Sequence, residues 1–241
     1  MSVQLQTPTG SVRSLRRDGW LELAMPLTTE DDRAQCLHIN QGLGGFAKLA
    51  RLSEGSIELR AEIPLGPEPR LNEHITSARE AFGNVFGNDA QGDGERDHDS
   101  NHDLQTFEPI LEELNRSFRR SSEGELTVVL SSGLGLRVEL DVTERWALRA
   151  KLPAISISDW CSTSRAALHL FLMRTNGCLR LARASVDDSR AWFEVCFELE
   201  PDARELDYAL TALQVAARFH YREARSLVNE RVSRLFLEWN Q

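Results

Sequence analysis

The sequence predicts an α+β fold made of two copies of one module, each a mainly antiparallel sheet covered by helices. Three observations predict it. The segment "GGFAKLARLSEGSIELRAEIPL" (44–65) returns in altered form as "GCLRLARASVDDSRAWFEVCFEL" (177–199). Each half also has its elements in the order strands, helix, strands, helix. Between the halves lies a stretch rich in Asp, Gly and Asn, residues 87–106, in which Leu104 is the one large apolar side chain.

The similarity between the halves keeps the same order along the chain. Leu49-Ala50-Arg51 matches Leu181-Ala182-Arg183 at a separation of 132 residues, and Arg70-Leu71-Asn72 matches Glu205-Leu206-Asp207 at 135. Short loop insertions produce such a drift. We therefore predict that the two copies bury apolar faces together as a monomeric pseudo-dimer. The predicted parts are a first module over 1–87, an acidic flexible linker over 88–106 and a second module over 107–241.

Strand and helix signals alternate in the first half. Thr28 or Thr29 is a candidate helix cap, and three acidic residues follow in the first turn, where they favour the helix dipole. The predicted elements are strands near 3–7, 11–17 and 20–25, a helix from this cap, strands at 46–52 and 56–63, and a helix from about 71 to 86.

The second half repeats this order of elements. Ser158 or Asp159 is the candidate cap of a helix that ends at Gly177, and a last helix follows Pro201. The apolar residues of that last helix recur at helical spacing: Leu206, Leu210, Leu213 and Ala217. The predicted strands are "ELTVVLSS", "LGLRVELDV", "WALRAKLP", "CLRLARAS" and "AWFEVCFEL".

Two helical segments have no counterpart in the first half. Residues 107–121 predict an amphipathic helix whose apolar stripe comprises Phe107, Ile110, Leu111, Leu114 and Phe118. Residues 222–241 predict an extension of the last helix. Because the first module lacks a leading helix, we hypothesise that the C-terminal helix packs on the first module in its place.

Composition and charge exclude several classes of function. The chain has 41% hydrophobic and 27% charged residues, a net charge of −9 and a pI near 5.3. An acidic protein repels a phosphate backbone, so nucleic acid is not predicted as a partner. No apolar run approaches the ~20 residues of a membrane span, so no membrane partner is predicted either. The N-terminal sequence lacks the pattern of a secretory signal, which predicts a cytoplasmic location.

The cysteine and acidic patterns do not favour a metal site. The four cysteines lie far apart without a C-x-x-C pair, so we expect buried, reduced thiols: Cys36, Cys161, Cys178 and Cys196. Asp89, Gln91, Asp93 and Gly94 follow EF-hand spacing, but Ser100 stands where the bidentate Glu belongs. His98 and His102 are a candidate metal pair that nothing holds in place. No metal and no cofactor are therefore predicted.

An enzyme would require a nucleophile with a base, paired carboxylates in a cleft, or a phosphate-binding loop. The glycine-rich "GLGGF" (42–46) follows a helix instead of a strand and lacks the Lys-Ser/Thr of a P-loop. Cys161 and His169 are two helical turns apart, out of contact. No catalytic, cofactor-binding or metal-binding residue is predicted, and the sequence favours a protein that is not an enzyme.

The order helix, three strands, helix, two strands, helix, closing in "RLARASVDDSRAWFEVCFELEPDARELDYALTALQVAARFHY", resembles the type III secretion chaperone-like fold, including the small YbjN-like proteins. The resemblance covers roughly 3–86 and 107–220 and rests on element order and apolar spacing. It implies a non-enzymatic module that usually dimerises and holds extended segments of a client polypeptide. Two copies in one chain resemble a covalent pseudo-dimer.

Binding of an extended client requires sheet edges or apolar grooves. The candidates for exposed apolar surface are Trp20, Trp146, Trp160 and Trp192, although tryptophan in a strand is more often core. The alternative function is a structural or regulatory protein whose two tethered domains bind different partners. Rigid packing of the two copies favours the first function, and independent tumbling favours the second.

Overall fold

The computed structural model describes residues 12–27, 33–44, 46–52, 54–86, 104–121, 125–130, 136–143 and 146–240. Within these residues the strands form two antiparallel sheets with helices packed against them. The predicted α+β class is confirmed. None of the described helices is long and apolar enough to cross a membrane. Most of the predicted linker and the first predicted strand, near 3–7, lie outside the described residues.

The first sheet has four strands in the order β1-β2-β4-β3. Burial in β2 largely alternates, with one face in the core, whereas β4 is buried along nearly its whole length. The strands are β1 (Arg13–Arg17), β2 (Trp20–Leu27), β3 (Ala47–Arg51) and β4 (Ile57–Pro64). Its helices are α1 (Arg33–Asn40), between β2 and β3, and α2 (Glu68–Phe86), after β4. The predicted bounds of β3, β4 and α2 are confirmed to within three residues.

The second sheet has the strand order β10-β11-β8-β7-β6-β5, with β9 paired to β11. Its strands are β5 (Phe118–Arg120), β6 (Leu126–Val129), β7 (Arg137–Asp141), β8 (Leu148–Lys151), β9 (Ile155–Ser156), β10 (Arg183–Val186) and β11 (Arg190–Phe197). The helices of this half are α3 (Glu108–Glu113), α4 (Ser162–Cys178), α5 (Ala203–Ala216), α6 (Arg222–Ser226) and α7 (Glu230–Glu238). A capping box of Asp202 and Glu205 starts α5, after Pro201 as predicted.

Four strands of the second sheet repeat the order of the first. The series β7-β8-β11-β10 corresponds to β1-β2-β4-β3, and all neighbouring pairs are antiparallel. Along the chain, α1 follows β2 and α2 follows β4; in the second half α4 follows β8 after the short strand β9, and α5 follows β11. The halves also exchange contacts, because α4 packs on β3 as well as β10, and α1 packs on β10 as well as β3.

The predicted helix over 107–121 is wrong beyond its first half. A 3-10 helix, Leu104–Phe107, precedes α3, which ends at Glu113. Asn115 then adopts a left-handed φ of +51°, and the amide of Arg116 returns to the carbonyl of Leu111 at 2.8 Å. This arrangement is a helix C-terminal motif that reverses the chain. Residues Phe118–Arg120 consequently pair with β6 as a strand.

Three other expectations require correction. The helix α4 begins at Ser162 with Cys161 as its N-cap, later than the predicted cap at Ser158 or Asp159. Its last turn extends to Cys178, so the strand predicted over 178–185 begins only at Arg183. Cys161 and Cys178 are exposed, unlike the buried Cys36 and Cys196, because they lie at the two ends of α4.

The C-terminal segment is neither one continuous helix nor packed as hypothesised. A π-helix, Ala217–Tyr221, joins α5 to α6. The helix is interrupted at 227–229, and the side chain of Asn229 then caps α7 by accepting hydrogen bonds from the amides of Arg231 and Val232. The helix α7 packs against α4 of the second half instead of covering the first module. The two helices are in apolar contact, since the rings of Phe171 on α4 and Phe236 on α7 lie 6.1 Å apart.

Candidate functional site

Two buried basic side chains cross the junction between the sheets in opposite directions. Lys48 on β3 donates to two carbonyl oxygens within 179–182, and Arg183 on β10 donates to two within 43–47. Lys48 also pairs with Glu62 at 2.7 Å, and burial lowers the pKa of Lys48. We call β3 and β10, the edge strands that face each other across this junction, the inner strands. Each half therefore supplies the donor for carbonyl oxygens of the irregular backbone that precedes the inner strand of the other half.

The residues that make these reciprocal contacts lie 135 positions apart. Phe46 and Leu181, also separated by 135, precede the two inner strands and adopt left-handed φ values of +60° and +62°. Such values are uncommon for bulky residues, so their occurrence at both places indicates the same local chain path. The structure thus pairs Lys48 with Arg183, three residues away from the pairing given by the Leu-Ala-Arg match.

Two buried asparagines bridge the inner edges of the two sheets. Asn40 accepts from the amide of Leu49 at 2.6 Å, and Asn176 accepts from the amide of Ala184 at 2.6 Å. Each side-chain amide group also donates to both carbonyl oxygens, those of Leu49 and Ala184, at 3.2–3.3 Å. The two edge strands are therefore joined through side chains. In the described sheets, β3 and β10 do not pair with each other through their backbones.

Glu194 on β11 pairs with two arginine side chains of the second sheet. Its carboxylate accepts from Arg183 at 3.2 Å, Arg149 at 2.8 Å, Ser185 at 2.8 Å and the indole of Trp192 at 2.7 Å. Although burial opposes it, the two guanidinium groups lower the pKa of Glu194. The two guanidinium groups neutralise this buried carboxylate, and its four hydrogen bonds stabilise the junction, although Nη2 of Arg183 is buried without a hydrogen-bond partner among the described residues.

A second cluster joins the N-terminal turns of α2 and α5. Arg70 Nη2 lies 2.8 Å from Glu205 Oε2, and His74 Nε2 lies 2.6 Å from Glu205 Oε1. Arg70 and Glu205 are a pair that the sequence matched at a separation of 135, and they are in direct contact. Burial opposes ionisation, but the hydrogen bonds from His74 and Arg70 lower the pKa of Glu205 from 4.5 to about 2.

This cluster predicts a specific loss of stability in acid. Because the folded-state pKa of Glu205 lies below its unfolded value of 4.5, its contribution is complete above about pH 5 and is lost as the pH falls toward 2. Glu205→Gln should reduce the acid-dependent decrease in the free energy of unfolding by about 2 kcal/mol, measured by urea titration from pH 6 to pH 3. Glu73 is an exposed partner of the same Arg70, and Glu73→Gln should leave the acid-dependent decrease in the free energy of unfolding unchanged. An equal effect of both variants would contradict this assignment.

An apolar cleft of about 300 Å³ lies beside α5 and combines residues of both halves. We call it the α5 cleft. Trp20 comes from β2 of the first half, and its ring lies 5.2 Å from that of Tyr208. The guanidinium of Arg180 lies over Trp20 at 5.9 Å, and that of Arg204 lies over Tyr208 at 5.4 Å. The remaining lining includes Leu181, Thr211, Ala212 and Val215.

The corresponding face of α2 forms a groove of different chemistry. This α2 groove has a volume of about 410 Å³. Its α2 residues stand 135 positions before those of the α5 cleft: Glu73 for Tyr208, Thr76 for Thr211, Ser77 for Ala212 and Glu80 for Val215. Glu198 also lines the groove and accepts a hydrogen bond from Ser77. One face is acidic and the other apolar, although α2 and α5 both follow the long second-to-edge strand of their sheets, β4 and β11.

The structure separates the four tryptophans proposed as exposed surface. Trp146 and Trp192 are buried, whereas Trp20 and Trp160 are half-buried. Of the four, Trp20 lines the α5 cleft, where the sequence analysis missed its partners Tyr208 and Val215. Together with Ala212, these residues recur at helical spacing beside the predicted core stripe of the same helix. This spacing is a signal that could have revealed a second apolar face.

The described residues contain no group of three or more His, Cys, Asp or Glu side chains that could hold a metal ion. The EF-hand-like positions and the His98 and His102 pair lie outside the described residues. Cys161 has its pKa lowered by a hydrogen bond with Ser164, but it stands alone at the start of α4. Burial raises the pKa of Cys196 to about 12, which makes this thiol unreactive.

Comparison of the chain with protein-family models, with curated proteins and with solved structures finds no match in any of the three.

Proposed function

We propose that this protein binds polypeptide segments and catalyses no reaction, in the manner of the type III secretion chaperones that its sequence resembles. The α5 cleft is the proposed site, and its apolar lining is the observation that carries the proposal. Peptide-binding grooves present apolar floors with a few polar groups at their rims. Arg180 lines the cleft and Arg204 lies over its Tyr208 ring, so the favoured client segment is apolar with acidic neighbours.

We also propose that the chain arose by internal duplication, which accounts for the way in which this site is built. The repeated strand order, the reciprocal contacts of Lys48 and Arg183, and the paired asparagines fit two copies related as in a dimer. A duplicated dimer has two equivalent helix faces, and only one of them needs to keep an apolar groove. The acidic α2 groove is then the copy that has diverged.

The sheet edges are less favourable sites for a client. The inner strands β3 and β10 are occupied by the asparagine bridges. The outer strands are β1 of the first sheet and β5 of the second. Both are largely exposed, and they carry Arg13, Arg16, Arg17, Arg119 and Arg120. Charged residues on an edge strand discourage pairing with another chain. These properties favour the α5 cleft over strand addition.

The tethered-domain alternative receives less support from these contacts. Buried hydrogen bonds that run from each half to the other, with α4 packed on β3, are expected of one rigid unit. All four cysteines are free, which agrees with the reducing cytoplasm that we propose as the location. The chemistry of the cleft indicates the class of client that we propose, an extended apolar segment with acidic neighbours.

Two threonines at corresponding positions provide a matched test of the cleft. Thr211 lies in the α5 cleft, and Thr76 occupies the same place in the α2 groove; both are exposed on helices. Reduced, carboxymethylated lactalbumin labelled with fluorescein is a suitable unfolded probe, followed by fluorescence anisotropy. Thr211→Glu should weaken binding about tenfold, because it places a negative charge against Trp20 and Val215 and repels the acidic neighbours of the favoured segment. Thr76→Glu should leave the affinity unchanged.

The design separates failure of the site from failure of the function. Absence of binding by the unaltered protein would contradict polypeptide binding itself. Equal weakening by Thr211→Glu and Thr76→Glu would contradict the α5 cleft as the site. Circular dichroism of both variants checks that the helices are intact, which is expected because glutamate has a higher helix propensity than threonine.

A further inference from the structure

The C-terminal helix α7 presents a second apolar face that the rest of the chain leaves uncovered. Its inner face, with Ser233, Phe236 and Leu237, lies toward α4. Its outer face comprises Val232, Leu235 and the C-cap residue Trp239, whose exposed fractions are 40%, 46% and 85%, and Val228, which precedes the N-cap Asn229, is 57% exposed. Large apolar side chains with so much exposed area in one short segment are typical of an interface.

The spacing of the outer face is that of a helix-pairing seam. The steps from Val232 to Leu235 and from Leu235 to Trp239 are three and four residues, which is the a/d repeat of paired helices. In that register Arg231 and Glu238 occupy the g positions that flank the seam. Both are exposed, and both lie on the side of the seam away from Phe236 and α4.

The charges of the flanking residues indicate the orientation of the partner. When two copies of such a helix pack antiparallel, a residues meet d residues and g residues meet g residues. Val232 then faces Leu235 of the other copy, and Arg231 faces Glu238 of opposite charge. A two-fold axis satisfies every one of these contacts twice, as an isologous interface requires.

We infer that the protein self-associates through α7, as an antiparallel pair of C-terminal helices from two copies of the chain. The area offered by these side chains is small beside that of obligate dimers, so the association is reversible and depends on concentration. This surface is separate from the α5 cleft, and the inference does not rest on the proposed function. It revises the sequence-based expectation of a monomer.

Sedimentation velocity of the full chain over a range from about 1 to about 100 µM tests the inference. The unaltered protein should show a reversible monomer-dimer equilibrium. Leu235→Glu should abolish it. Arg231→Glu and Glu238→Arg should each weaken it about tenfold, because each places like charges opposite one another, and the combined variant should restore it.

Arg234→Glu is the control, because Arg234 pairs with Glu230 of its own helix at 2.9 Å and lies outside the seam. It should leave the equilibrium unchanged. A protein that stays monomeric over the whole range would overturn the inference. Single variants that weaken the dimer without restoration in the combined variant would overturn the antiparallel arrangement.

Discussion

Replacing Arg183 with alanine is expected to lower the free energy of unfolding by about 3 kcal/mol. The substitution removes one of the charges that neutralise the buried Glu194 and leaves that carboxylate with Arg149 as its remaining guanidinium partner. It also removes the donor for two carbonyl oxygens within 43–47 of the first half. Chemical denaturation followed by circular dichroism measures the loss.

Arg190→Ala is the matched control, since Arg190 lies on the adjacent strand in an exposed pair with Asp187 at 2.9 Å. Exposed ion pairs contribute little, so this variant should change stability by less than about 0.5 kcal/mol. A cost for Arg183→Ala no larger than that of the control would show that the crossing hydrogen bonds do not hold the junction.

Removal of both bridging asparagines is expected to cost more than the sum of the single removals. Asn40→Ala and Asn176→Ala each leave one buried amide, of Leu49 or of Ala184, without its acceptor, at a cost of about 2 kcal/mol. After either single change the other asparagine still donates to both carbonyl oxygens. In the double variant those oxygens also lose their donors, so the excess should reach about 1 kcal/mol.

A double-mutant cycle by urea denaturation measures this excess. Asn72→Ala, at an exposed position on α2, serves as the control and should change stability by less than about 0.5 kcal/mol. Strict additivity of the two asparagine substitutions would mean that the two amides act independently. The shared bridge between β3 and β10 would then be incorrect.

The sequence predicted those elements whose signals are local. Apolar alternation located β3 and β4 to within a residue, and the residues after Pro201 indicated the start of α5. The helix over 107–121 was extended too far because its apolar period continues through Phe118. Periodicity alone does not register the left-handed turn at Asn115, which ends α3 and directs Phe118 into a strand.

The junction and the cleft depend on contacts between distant parts of the chain. Lys48 and Arg183 look like ordinary charged strand residues, and their burial becomes visible only when the two halves are packed together. The cleft was missed for a related reason. Tyr208 and Val215 share α5 with a buried stripe, and the sequence does not tell which part of a wide apolar arc is covered by neighbours.

Native-state hydrogen exchange at the amides of Leu49 and Ala184 tests most directly whether the two halves form one interlocked unit. These amides are bound by Asn40 and Asn176 at the two inner strands. The account predicts that both exchange only through global unfolding, with equal opening free energies and equal dependence on denaturant. Exchange of Leu49 at a clearly lower free energy than Ala184, with a smaller denaturant dependence, would mean that the first half opens alone and would contradict it.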